Sequence, residues 1–231
     1  MPVQPEAEES GSMAQPTREA SNRLERRKAR TRAALVRAAQ GFIAAGKLNV
    51  PILDITQAAD VGMGSFYNHF ETKEQLFQVA VEDALDTLGA LLDDLTVGLT
   101  DPAHVFAQST RLVGRFHRRN PQLSRVLLNN WTAMLAMDIG LVPRARRDIE
   151  AGIRAGRFKV RDPELALVIV CGASLCLGQL LHDQPDRDDA EAADQVTEDL
   201  LRMLGVPAKT VQKICRQPLP ELDYAGVTPA P

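Results

Sequence analysis

The sequence predicts an all-α protein: an N-terminal helix-turn-helix unit followed by a larger helical domain. Three observations carry that prediction. Apolar residues recur at three- and four-residue steps along most of the chain. Aromatics make up only 4% of residues while Ala and Leu abound, which favours helices over sandwiches and barrels. Asp-Pro and Asn-Pro pairs, with single glycines, punctuate the pattern where helices open and close. At 231 residues, 45% hydrophobic and 25% charged, the chain is long enough to bury a sizeable core in one or two domains.

Residues 1–22 hold Pro2, Pro5, Pro16, Gly11 and several Ser and Glu, and are expected to be a disordered extension in which Met13 offers an alternative start. Acidic residues and the lack of an apolar core argue against a signal peptide there. Between Arg23 and Arg37 seven Arg or Lys accompany one acid, Glu25. Such a run is usually a solvated helix face. Its position just ahead of the helix-turn-helix makes Arg26, Arg27, Lys28 and Arg30 candidates for phosphate or minor-groove contact. Leu35, Val36, Ala39, Phe42 and Ile43 give this first helix an apolar stripe, and Gly46 ends it. The net charge of −3 hides an asymmetry: −3 over residues 1–22, +4 over 23–80 and −4 over the remainder. A basic N-terminal unit on an acidic remainder suits a protein that meets phosphate with one end.

Residues 52–77, ILDITQAADVGMGSFYNHFETKEQLF, organise the rest. Ile52, Ile55, Ala58 and Ala59 fall at helical spacing, Asp60-Val61-Gly62 interrupts it, and Met63 to His69 is a second short helix. A tight corner between two short helices is the shape of a DNA reader whose second helix enters the major groove. On that helix Met63, Gly64, Tyr67 and Asn68 share one face, while Phe66 and Phe70 share the opposite, anchoring face. Gly64 and Ser65 permit close approach to the groove, Asn68 offers a donor and an acceptor to a base edge, and the Tyr67 hydroxyl reaches towards phosphate. Thr72 is placed to cap the next helix, with Lys73 in its first turn as a further phosphate-directed charge.

Ala58-Ala59-Asp60-Val61, then Gly64-Ser65-Phe66-Tyr67-Asn68-His69-Phe70, then Thr72-Lys73-Glu74 resemble the DNA-binding region of tetracycline-repressor-like (TetR) transcriptional regulators. The distinctive part is Phe-Tyr-x-His-Phe with Lys-Glu two residues on. The resemblance implies that Tyr67, His69 and Lys73 touch phosphates and that Met63, Gly64, Ser65 and Asn68 face bases. Departures from the usual pattern are Asp60 in place of a turn glycine, Gly62 in place of a serine cap, and Val50-Pro51 in place of threonines. Asp tolerates turn geometry and Gly is an acceptable cap, but a threonine phosphate contact is expected to be missing.

From Lys73, the pattern Phe77, Ala80, Ala84, Leu88, Leu91, Leu95 predicts one helix of about six turns ending before Gly98. Asp101-Pro102 opens the next, with Val105, Phe106, Ser109, Leu112, Val113 and Phe116 inward. Asn120-Pro121 opens another through Met137, a further helix runs from about Pro143 to Ala155, and Asp162-Pro163 opens the next. Leu165 to Leu181 is the most apolar stretch. It is short for a membrane span and has no basic flank, so it is expected to be buried partly by its own domain and partly by a second subunit. The helix from Ala190 to Leu204, with Ala193, Val196, Leu200, Leu201 and Leu204, is expected to join it in a four-helix homodimer interface, a pairing the resemblance also implies. Two reading helices related by a two-fold axis would then read a palindromic operator in double-stranded DNA. The expected domains are residues 23–72 (DNA-binding) and 73–216 (ligand-binding and dimerisation), with 217–231 a disordered tail.

Phe106, Thr110, Trp131, Met134, Cys171 and Ser174 lie on helices able to converge on one apolar cavity with a few polar groups, as small-molecule sites are built. The resemblance implies an effector that binds there and releases DNA. The odd cysteine count of three, without CxxC, indicates neither a disulfide framework nor a zinc site and suits a reduced, cytoplasmic protein. No cofactor is called for. His69, His104, His117 and His182 are scattered and neither HExxH nor GxSxG occurs, so no enzyme is expected; His117, beside Arg115, Arg118 and Arg119, is expected on a solvated face.

Overall fold

The computed structural model describes residues 18–129 and 140–221, which form ten helices and no strand. Helix α1 (Arg18–Ala44) begins inside the stretch expected to lack structure, since Arg, Glu and Ala after Pro16 are good helix formers with no breaker among them. It closes on Gly46, whose φ of 70° lets the Gly46 and Lys47 amides bond back to the Ile43 and Phe42 carbonyls at 2.9 Å each. Leu35, Val36, Ala39 and Ile43 are its buried stripe.

Helices α2 (Ile52–Ala58) and α3 (Met63–Tyr67) follow, then α4 (Lys73–Thr96), a 24-residue rod about 36 Å long. Thr72 caps α4 by accepting from the Gln75 amide at 3.1 Å. The buried face of α4 is Leu76, Ala80, Val81, Ala84, Leu85, Leu88 and Leu92. It is broader than the expected stripe, and Phe77, Leu91 and Leu95 are only half-buried, because α1, α5, α6 and the helix after residue 140 surround the rod on several sides.

The remainder consists of α5 (Pro102–Arg119), α6 (Pro121–Asn129), α7 (Leu141–Arg154), α8 (Pro163–Asp183), α9 (Asp189–Met203) and α10 (Ala208–Cys215). Asp101, Asp162 and Asp188 cap α5, α8 and α9 through their carboxylates, and proline follows the first two as the first helical residue. The helix expected to reach Met137 is described to Asn129; its continuation, with Trp131 and Met134, lies outside the described residues. The chain stays packed past residue 217: the Gln217 carbonyl accepts from Arg111 at 2.8 Å and Leu219 lies against the core.

Two expectations are corrected here. Arg115 and His117 do not lie on a solvated face: they are 8% and 2% exposed. Asp194 on α9 accepts from Arg111 Nε at 2.8 Å and Arg115 Nη1 at 2.7 Å, so two guanidiniums one turn apart on α5 face another helix rather than water. Burial alone would push the Asp194 carboxyl up, but the hydrogen bonds from Arg111 and Arg115 outweigh it and hold it below the usual carboxylate range. That contribution to stability is present above the unfolded-state pKa and is lost as pH falls through the lowered folded value. The second correction concerns α9. Ala193, Leu200, Leu201 and Leu204 are buried within the chain, because α9 packs on α5 and α10, so these four are not open to a partner subunit; Val196 is half-buried.

Helix α8 packs on α5, α7, α9 and α6, yet Leu165, Val168 and Ile169 on its outer side remain 61%, 58% and 49% exposed. By length and composition this 21-residue helix could cross a membrane, but a third of its apolar part is buried among the other helices (33%).

The α5–α9 contact depends on Gly114, where a Cβ would stand 2.4 Å from the Ala193 Cβ and 3.2 Å from its backbone Cα. Because backbone cannot yield as a flexible side chain does, Gly114→Ala is expected to destabilise the fold by about 1–3 kcal/mol. Thermal unfolding followed by circular dichroism should show a melting point lower by several degrees.

Candidate functional site

The reading unit is held from beneath by aromatic packing. Phe66 is fully buried, its ring centroid 6.0 Å from that of Phe70, and the Arg32 guanidinium lies 5.4 Å over Phe70. Ile55 and Thr56 fix α2 against the same core. Between the helices Asp60 takes φ 53°, the one non-glycine left-handed residue among those described; the Val61 amide bonds back to the Thr56 carbonyl at 3.0 Å to close the corner. Gly62 precedes α3 in extended conformation without a side-chain cap.

That packing turns the other face of α3 outward. Met63, Gly64, Tyr67 and Asn68 are exposed while Ser65 and His69 are half-buried. Lys73 Nζ lies 3.2 Å from Asn49 Oδ1 at the start of α4. Along α1, Arg23, Arg26, Arg27, Arg30 and Arg37 line one groove together with Ala59, Asp60 and Val61 of the α2–α3 corner. Arg27 and Arg30 therefore join the reading unit, whereas Lys28 stands off the groove beside Glu25 at 3.6 Å. Arg37, the last residue of the basic run, was not among the sequence candidates but lines the same groove.

A second feature lies at the far end of α4. A cavity of about 100 Å³ is enclosed by α4, α5, α6, α7 and α8. Phe106, Thr110, Cys171 and Ser174 all line it, as the sequence suggested; Trp131 and Met134 lie outside the described residues. Thr110 and Ser174 donate to the carbonyls one turn back, of Phe106 at 2.8 Å and Val170 at 2.9 Å, so both hydroxyls retain only acceptor capacity. Burial pushes the Cys171 thiol up, leaving it neutral.

The cavity also holds charges that the sequence did not reveal. Asp93 on α4 accepts from Arg144 Nε at 2.7 Å and Arg147 Nη1 at 3.0 Å, and Arg147 Nε donates to Asp148 at 3.0 Å. Gly89 makes room for the Arg144 guanidinium, which a Cβ there would meet at 2.2 Å. Burial tends to raise the Asp93 carboxyl, but the two arginines hold it below its ordinary range; for the more deeply buried Asp148, burial wins over Arg147 and the carboxyl is pushed up. The only sequence signal was the spacing of Arg144, Arg147 and Asp148, which puts them on one side of α7.

His117 on α5 also lines the cavity, with Nδ1 2.8 Å from Ser124 Oγ, itself 2.8 Å from His182 Nε2. Burial, reinforced by His182, lowers the His117 pKa to about 4, so its ring is neutral at physiological pH.

Comparison with known proteins agrees with both features. Residues 34–80 match bacterial regulatory proteins of the tetR family, and residues 101–217 match the tetracyclin repressor-like C-terminal domain. The HTH-type transcriptional repressor DhaR of Mycobacterium sp. (strain GP1) is 42% identical over 62 residues, 25% of this chain and 31% of that protein, so the match spans about a third of the relative's length. RolR, in a crystal structure with the ligand resorcinol, is 34% identical with a TM-score of 0.59, covering 86% of this chain and 100% of that one. FadR from Bacillus subtilis, in complex with stearoyl-CoA, is 16% identical with a TM-score of 0.63, covering 73% of this chain and 97% of the other, a likeness of fold alone. Since the C-terminal family domain spans half of the sequence and the N-terminal one spans the reading unit, the chain belongs to the tetR family of bacterial regulatory proteins and is a helix-turn-helix DNA-binding transcriptional regulator.

Proposed function

We propose that the protein represses transcription as a homodimer on a palindromic operator and leaves DNA when a small hydroxylated aromatic compound fills the cavity. The observation that carries this reading is the composition of the cavity wall: Asp93, Arg144, Arg147 and Asp148 come together in a wall that is otherwise mostly apolar, with a few hydroxyls and His117. A phenolic hydroxyl donates to a carboxylate and accepts from a guanidinium, both strong charge-assisted bonds, while Phe106, Val113, Leu127 and Val170 cover its ring. The raised Asp148 carboxyl gains most from such a donor. At about 100 Å³ the cavity is somewhat smaller than the apolar cavities of about 150 Å³ that take benzene, which favours a single ring over a long acyl chain. RolR, solved with resorcinol, supports the same ligand class.

On the DNA side, α3 enters the major groove with Met63, Gly64, Ser65 and Asn68 towards bases. Tyr67, His69 and Lys73, joined by Arg27 and Arg30, meet phosphates. The exposed side of α8 around Leu165, Val168 and Ile169 covers its counterpart in the second subunit, setting the reading helices about 34–36 Å apart. The effector acts by preferring the conformation that does not fit DNA, because equal affinity for both would shift nothing.

A fluorescence-anisotropy titration against the DNA upstream of its own coding sequence and a scrambled control, with and without resorcinol, tests the proposal. Preference for the upstream DNA that survives raised salt and is lost with resorcinol is expected; binding indifferent to every hydroxylated benzene would sink the effector assignment. Arg144→Ala should keep operator affinity within about twofold while weakening the resorcinol response tenfold or more, the loss of a charge-assisted bond. Tyr67→Phe and Lys73→Ala should weaken binding to all sequences and flatten its salt dependence, whereas Asn68→Ala should chiefly relax sequence choice. Equal losses on cognate and random DNA from Asn68→Ala would remove that residue from base reading.

A further inference from the structure

The basic face of α1 extends beyond Arg27 and Arg30. Residues 22–30 are all exposed, so this end of the helix projects from the domain without a core partner. Its sequence still gives it one ordered side. Arg23, Arg26, Arg27, Arg30 and Arg37 recur at spacings that return to the same side of a 3.6-residue helix, and all five line one groove. From Arg23 to Arg37 that side is about 21 Å long at 1.5 Å per residue. The groove measures about 640 Å³, and its opposite wall is Ala59, Asp60 and Val61 of the α2–α3 corner.

Charge distinguishes this side of α1 from the rest of the helix. Among the described residues no carboxylate stands within ion-pair distance of Arg26, Arg27, Arg30 or Arg37, whereas Lys28, outside the groove, has Glu25 at 3.6 Å. Neighbouring guanidiniums without a counter-charge repel one another, and a polyanion relieves that repulsion. Asp60 is the one acid that lines the groove. The face is also fixed relative to the reading helix: the Arg32 guanidinium lies over Phe70, and Leu35, Val36 and Ala39 share a core with Phe66. Wherever α3 seats, the arginines are carried with it. A face of about 21 Å is longer than the major groove is wide, at about 12 Å, so it meets sugar-phosphate backbone rather than base edges.

We propose that this side of α1 is a second DNA-binding element, which lies on the phosphate backbone beside the groove that α3 fills and holds the protein on duplex DNA of any sequence. Arg26 and Arg37 act in it with Arg27 and Arg30, Lys28 takes no part, and Asp60 weakens it at the corner. The inference rests on the reading of α3 as the helix that enters the major groove and deepens it: α3 chooses the sequence, while α1 adds affinity common to all sequences. Each arginine that neutralises a phosphate releases a counterion, so its contribution shows in the salt dependence of binding.

Fluorescence anisotropy of the full-length protein across a salt series, on the upstream DNA and on a scrambled duplex, tests this with Arg26→Ala, Arg37→Ala, Lys28→Ala and Asp60→Asn. All four positions are exposed, alanine is the best helix former, and asparagine accepts the left-handed backbone of Asp60, so the variants should fold, as circular dichroism would check. Arg26→Ala and Arg37→Ala should each make log affinity fall less steeply with log salt, by about 0.9 in slope on both duplexes, and keep the ratio of upstream to scrambled affinity within about twofold. Lys28→Ala should leave the slope unchanged, and Asp60→Asn should tighten binding to both duplexes. Unchanged slopes in both arginine variants overturn the proposal. So does an equal change in Lys28→Ala, which would reflect net charge alone, or a loss confined to the upstream DNA, which would make the arginines base readers. If the wild type binds both duplexes equally, sequence reading by α3 falls while the slopes on the scrambled duplex still decide the role of α1; if it binds neither, both fall.

Discussion

One packed cluster joins the DNA-reading end to the cavity, and the rest of the architecture depends on it. It runs from Leu35 and Ile43 on α1 through Phe66 and Phe70 at the reading helix, along α4, to Leu123, Val126 and Leu127 on α6. Leu92 and Leu127 belong to this cluster and also line the cavity. Because protein interiors are packed as densely as organic crystals, a ligand that displaces either leucine cannot be absorbed locally. Two polar ties reinforce the apolar contact: Gln40 on α1 donates to the Ala80 carbonyl at 3.1 Å and to Asp83 at 3.0 Å on α4, and Asn129 on α6 donates to the Ile43 carbonyl at 3.0 Å. Leu127 and Asn129, two residues apart, thus touch the cavity and the end of α1.

The helical domain uses buried arginines in two ways. Between α5 and α9, Arg111 and Arg115 enclose Asp194, and Arg111 also satisfies a backbone carbonyl, so the charges are spent on holding helices together. Buried pairs of this kind add little net stability but make removal of one partner costly. Around Asp93, Arg144, Arg147 and Asp148 the pairs are as short, at 2.7–3.0 Å, but they border the cavity instead of filling the seam between two helices.

The local elements were legible in the sequence because their causes are local. Thr72, Asp101 and Asp162 announce helix starts by side-chain chemistry, Gly46 announces a stop, and the alternation of Phe66 and Phe70 with Met63 and Tyr67 assigns the faces of α3 from 3.6-residue periodicity alone. Four of the six cavity candidates were found because apolar residues interrupted by Thr, Ser and Cys mark an inward face. What escaped depends on pairs distant in sequence. Asp93 and Arg144 are 51 residues apart and Arg115 and Asp194 are 79 apart, so neither pairing shows in local spacing, and His117, beside Arg115, was placed on a solvated face. The α9 leucines were assigned to a partner because periodicity says that a face is buried, not by what.

The outer side of α8 has a consequence for how the protein behaves at low abundance. Leu165, Val168 and Ile169 present a contiguous oily strip that a lone chain leaves in water. If the proposed homodimer pairs through this strip, stability follows mass action, so each halving of the protein concentration erodes both the population of assembled regulator and the resistance of each chain to unfolding. A regulator made in a few copies per cell therefore sits closer to its dissociation threshold than one made in hundreds. A gene that it silences would then respond to dilution at cell division as well as to any small molecule.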